Sequence, residues 1–94
     1  MRNYEVTYIL QPELEEGAIS ELVEKFKQQV IDQGGAVSNI DNWGKRAFAY
    51  ELCGKREGTY VVMQFESIAS VAEELRRVMK LNESVIRCLV INRD

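Results

Sequence analysis

The sequence predicts an α+β sandwich of strand, helix, strand, strand, helix, strand order. This is the ferredoxin-like βαββαβ arrangement, a four-stranded antiparallel sheet with two helices on one face. Three observations predict it. Residues 3–10 and 85–92 alternate in side-chain type at period two, as half-buried strands do. Apolar residues recur at helical spacing over 19–30 and again over 68–79. Between the helices, Trp43-Gly44-Lys45-Arg46-Ala47-Phe48-Ala49-Tyr50 and Gly58-Thr59-Tyr60-Val61-Val62 read as the arms of one long hairpin. Right-handed crossovers then put the first and third strands at the centre of the sheet.

The first strand runs from Asn3 to Leu10. Tyr4, Val6, Tyr8 and Leu10 face the core, and Glu5, Thr7 and Ile9 face away. Pro12 cannot donate to a ladder, so Gln11-Pro12-Glu13 ends the strand. The first helix starts at Glu15 or Gly17 and reaches Gln33, with Ile19, Leu22, Val23, Phe26 and Val30 as its apolar stripe. Glu15, Glu16 and Glu21 suit its positive end, and Gly34-Gly35 stops it.

The second strand starts at Ala36 or Val37. Val37 and Ile40 are out of period-two phase, which predicts a bulge or bend around Asn42-Trp43-Gly44. Gly54 to Gly58 form a charged tip. The third strand, Thr59 to Glu66, alternates Val61, Met63 and Phe65 against Tyr60, Val62 and Gln64. Ser70 and Glu73 have the spacing of a capping box for the second helix. Its stripe is Ile68, Val71, Ala72, Leu75, Val78 and Met79. Arg76, Arg77 and Lys80 fall toward its negative end, which is reason enough for them. Asn82 ends it. The last strand, Val85 to Asn92, puts Ile86, Cys88 and Val90 inward and Arg87, Leu89 and Ile91 outward.

The 94 residues make one domain, 1–94, with 46% hydrophobic and 29% charged residues. No apolar run is long enough for a membrane span. The start lacks a signal or transit pattern, which predicts a cytoplasmic protein. There is no His and only Cys53 and Cys88, too few ligands for a structural zinc site. No Gly-rich phosphate loop follows a strand, and no base stands beside either thiol. Composition therefore argues against an enzyme. The charge is uneven. Through Asn42, three cations meet eight anions; from Trp43 onward, nine meet seven, for a net −3. Such a chain is a poor polyanion binder alone but can share an RNA site with a basic partner.

The helix-free face of the sheet carries Ile9, Tyr60, Val62, Leu89 and Ile91. That is apolar enough to predict an exposed protein-contact patch. It lacks the paired stacking aromatics of a single-strand RNA reader. The hairpin joins Trp43 to Lys45, Arg46, Lys55 and Arg56. Two readings are open: an interaction surface for phosphate or carboxylate, or an edge guarded against strand addition. A small-molecule regulatory domain of the ACT type remains an alternative by topology alone.

Several runs together resemble the bacterial small-subunit ribosomal protein six family over essentially the whole chain. They are Met1-Arg2-x-Tyr4-Glu5, Leu10-x-Pro12, Trp43-Gly44-Lys45-Arg46 with Ala49-Tyr50, Lys55-Arg56-Glu57-Gly58-x-Tyr60, and Leu81-Asn82-Glu83-x-Val85-Ile86-Arg87. Two departures stand out. Glu51 occupies a position where the family often has Pro, and the C-terminal tail that the family can carry has no counterpart before Asp94. The resemblance implies a structural, non-enzymatic role without a cofactor. It implies binding to small-subunit ribosomal RNA beside the small basic ribosomal protein numbered eighteen, in the platform of a cytoplasmic ribosome. Candidate RNA contacts are Arg2, Lys45, Arg46, Lys55, Arg56 and Arg87. Candidate partner contacts are Trp43, Tyr60, Val62, Leu89 and Ile91.

Overall fold

A computed structural model describes residues 1–94. The elements are β1 (Arg2–Leu10), α1 (Glu16–Asp32), β2 (Ala36–Leu52), β3 (Lys55–Ser67), α2 (Ala69–Leu81) and β4 (Val85–Asn92). The strand order is β2-β3-β1-β4, with every neighbouring pair antiparallel. The predicted ferredoxin-like sandwich is the observed one.

Alternation explains the core. Tyr4, Val6, Tyr8 and Leu10 of β1 and Val61, Met63 and Phe65 of β3 project from the two central strands toward the helices. Phe26 and Val30 of α1 and Ala72, Leu75 and Met79 of α2 close over them. Tyr8 meets Phe26 edge to face at 5.2 Å between centroids, and Tyr4 stacks on Phe65 at 5.5 Å. The Tyr8 hydroxyl is buried without a hydrogen-bond partner, and burial pushes its pKa up.

The phase break in β2 resolves into two bulges. One lies at Ser38, between Val37 opposite Phe65 and Asn39 opposite Gln64. It returns Ile40 to the helix side beside Met63. The other lies at Trp43, as expected, and Gly44 takes the positive φ of 79° that the kink needs.

Two expectations at element ends fail. The hairpin tip is only Cys53-Gly54, because Lys55–Gly58 belong to β3, not to a loop. Ser70 and Glu73 form no capping box. β3 continues to Ser67 opposite Arg2, and α2 begins at Ala69. Ser70 is then already inside the first turn, and its cap position is Ile68, which is exposed instead of packed in the stripe.

Candidate nucleic-acid and protein interface

The register assembles the helix-free face row by row. Ile9 stands opposite both Tyr60 and Arg87, Thr7 opposite Val62 and Leu89, and Glu5 opposite Gln64 and Ile91. Directly opposed residues share a face, so the outward set predicted from alternation lies together. Leu89 and Ile91 are 57% and 43% exposed. Val62 is not: it is 7% exposed, and Ile9 is 6% exposed. Val62 is therefore unavailable as an exposed partner contact in the free chain.

The reason for Ile9 is the end of the hairpin. After Ala47 opposite Glu57, the next pair is Leu52 opposite Lys55, so Phe48–Glu51 arch out of the ladder. The arch carries Phe48 over the sheet, where its ring meets Tyr60 edge to face at 6.1 Å. It also approaches Gly58 so closely that a Cβ there would lie 2.6 Å from Ile9 Cγ2 and 3.0 Å from Phe48 Cζ. Beneath the arch lies a groove of about 350 Å³, bounded by Ile9, Phe48, Tyr50, Tyr60, Arg87 and Leu89.

At the bulge, Trp43 stacks on Tyr60, with centroids 6.4 Å apart and planes 10° from parallel. Its indole donates to Asp41 Oδ2 at 3.0 Å. Arg46 shares this face, being opposite Gly58, and its guanidinium lies 5.6 Å from the Trp43 ring centroid. Such a cation–π contact contributes roughly 0.5–1 kcal/mol when exposed.

The six candidate cations separate. Lys45 is opposite Thr59, on the other side of the sheet from Arg46, and lies 3.8 Å from Glu57. Lys55 is ion-paired with Glu13. That bond and the nearby Lys45 hold the Glu13 carboxyl below its usual range. Arg56 and Arg87 are exposed and make no ion pair. Arg2 is also exposed, but it pairs in register with Ser67, whereas Ile9 pairs with Arg87. At about 3.3 Å per residue, it stands about 23 Å along the strand from the level of Arg87. It does not join the others.

Two features lay outside the sequence reading. The acidic partner of Lys55 comes from the loop after β1, and no local spacing signals a contact across 42 residues. The hairpin turn also reaches β4: Cys53 Sγ lies 4.0 Å from the Ile86 carbonyl. Cys53 takes a left-handed φ of 51° there.

No cluster of His, Cys, Asp and Glu could hold a metal ion. No helix is long and apolar enough to cross a membrane. The sheet face, with its exposed apolar residues, stacked aromatics and arginines, is that of a ferredoxin-like binding domain. Residues 3–92 match the family model for ribosomal protein S6. The chain is 49% identical over 90 residues to small ribosomal subunit protein bS6 of Moorella thermoacetica, covering 96% of this chain and 92% of that one. It is 47% identical over 94 residues to the bS6 of Carboxydothermus hydrogenoformans, covering 100% and 98%. It superposes on the crystal structure of 30S ribosomal protein S6 from Thermotoga maritima with a TM-score of 0.93 and 29% identity, covering 98% of this chain and 87% of that one. The chain belongs to the ribosomal protein S6 family of the small subunit, a family of ribosomal structural proteins and not of enzymes.

Proposed function

We propose that the chain binds small-subunit ribosomal RNA jointly with a small basic ribosomal protein, the one numbered eighteen, and so supports platform assembly and translation in the cytoplasm. The observation that carries this reading is the helix-free face, where exposed Leu89 and Ile91 stand beside Arg87, which has no acidic partner. The apolar residues suit a protein and the arginine suits phosphate. Arg46, Arg56 and Arg87 take the RNA backbone. Trp43, Tyr60, Leu89 and Ile91 take the partner. Lys45 and Lys55 contribute less, because each already meets a carboxylate.

A net charge of −3 makes the chain alone a weak RNA binder. The partner supplies the missing positive charge, and joint contacts on one RNA link the two binding events. A tagged chain recovered from bacterial lysate should bring down small-subunit ribosomal RNA and the basic partner together. Recovery of neither, or nanomolar RNA binding by the chain alone at physiological salt, sinks the joint reading. No observation favours the regulatory-domain alternative.

A further inference from the structure

A second set of cations lies away from the hairpin. Arg76, Lys80 and Arg87 border one cleft of about 350 Å³ between α2 and β4, floored by Met79, Val85 and Cys88. None of the three makes an ion pair. Their neighbour Arg77 differs, being bonded to Glu74 at 2.5 Å. Glu73 borders the adjoining cavity with Arg76 but forms no pair with it.

The helix dipole does not account for this set. Lys80 is the only basic residue in the last turn of α2. Arg76 is a full turn earlier, where the dipole has faded. Arg76 and Lys80 stand four residues apart, so they share a helix face and repel each other. An anion between them turns that repulsion into attraction. Both line the cleft together with Cys88, whose thiol pKa is pushed up by burial in spite of the two nearby cations. Arg87 borders this cleft and the groove under the hairpin arch alike. It therefore connects the cleft to the face already described.

We infer that the α2–β4 cleft is a second contact surface for the phosphate backbone of RNA, held by Arg76, Lys80 and Arg87. This rests on the RNA-binding reading above and adds a surface to it. RNA is favoured over an acidic peptide because Arg76 and Lys80 border the cleft from α2 while Arg87 borders it from the helix-free side of β4, so the cations are spread around the sheet edge. Separated phosphates along a strand match that spread.

The test uses the chain with its basic partner and a small-subunit ribosomal RNA transcript, titrated over a range of salt. The double variant Arg76→Gln/Lys80→Gln should weaken binding and make the log–log salt slope shallower by about two. Arg77→Gln, which only frees Glu74, should leave the slope unchanged. An unchanged slope in the double variant overturns the cleft assignment while the hairpin reading stands. A lowered melting temperature with an unchanged slope assigns the pair to helix stability and overturns it equally. Failure of the unmodified pair to bind the transcript overturns both readings.

Discussion

The Arg46 guanidinium rests over the Trp43 indole, 5.6 Å from its centroid, while Tyr60 stacks on Trp43. The cation is thus held in place in the free chain, at the kink where Gly44 bends β2. Trp43 is the only tryptophan, so its fluorescence reports this site. Arg46→Ala should weaken RNA capture by the protein pair and reduce the salt slope by about one. Arg46→Lys keeps the charge but loses the planar stack. It should keep the slope while shifting the Trp43 emission. An Arg46→Ala variant with the parent's slope would remove Arg46 from the RNA surface.

Gly58 lets the Phe48 arch close. Gly58→Ala forces a Cβ to within 2.9 Å of the Leu10 carbonyl oxygen as well as against Ile9 and Phe48. Backbone cannot yield as a flexible side chain does, so the expected loss is about 2–3 kcal/mol in urea unfolding. Gly17→Ala meets nothing within 4 Å. It sits in the first turn of α1 and should be neutral or stabilising by less than about 1 kcal/mol. Equal stability of the two variants would show that the arch is not packed as described.

Val62 and Leu89 share a face but should respond differently to the same change. Val62→Asp buries a charge with no partner and should cost about 3–5 kcal/mol of folding stability. Leu89→Asp is on the surface and should change stability by about 0.5 kcal/mol or less. It should still weaken capture of the basic partner. Circular dichroism melts and a pull-down separate the outcomes, and normal pairing by Leu89→Asp would exclude that side chain from the contact.

Glu13 and Lys55 give a pH signature. The folded carboxyl has a pKa lowered first by its hydrogen bond to Lys55. Its contribution to stability is therefore fully present above the unfolded value and lost as pH falls through the folded one. Because Glu13 is exposed, that contribution is small. In carboxyl-detected NMR titrations, Glu13 should titrate below the ordinary value of 4.5, and Lys55→Ala should move it back up. No movement in the variant would mean that the pair does not persist in solution.

Tyr8 carries a hydroxyl that burial leaves unsatisfied. Tyr8→Phe removes the group while keeping the ring that meets Phe26. Stability should rise by about 1 kcal/mol, since an unmatched buried polar group costs about 1–3 kcal/mol. For a chain of this size that is a melting temperature about 4–8 °C higher. A lower melting temperature would mean that the hydroxyl is hydrogen-bonded in solution.

Period-two alternation in 3–10 and 85–92, together with the apolar stripes of the two helices, determined the sandwich and which side of each strand faces the core. That information is local, because successive side chains on a strand must point to opposite faces. The kink at Trp43-Gly44 was legible for the same reason, since a bulge must break the alternation it interrupts. The bulge at Ser38 left its mark too, in the mismatch of Val37 with Ile40, though the mark did not say where the extra residue lay.

Only the tertiary structure decided which cations are free. Lys45, Arg46, Lys55 and Arg56 look alike as a basic hairpin. Yet Glu57 meets Lys45 across the strands, and Glu13 reaches Lys55 from another loop. Likewise, Ile9 and Val62 have the alternation of exposed residues but are buried on the helix-free face, Ile9 where the Phe48 arch leaves the β2–β3 ladder. Arg76 and Lys80 read as helix-end charges until β4 is placed beside α2 and Arg87 completes the cleft. Each of these outcomes depends on a contact between distant segments. Such contacts form only once the strand order and register have brought the loops and strand ends together, and no spacing along the chain encodes them.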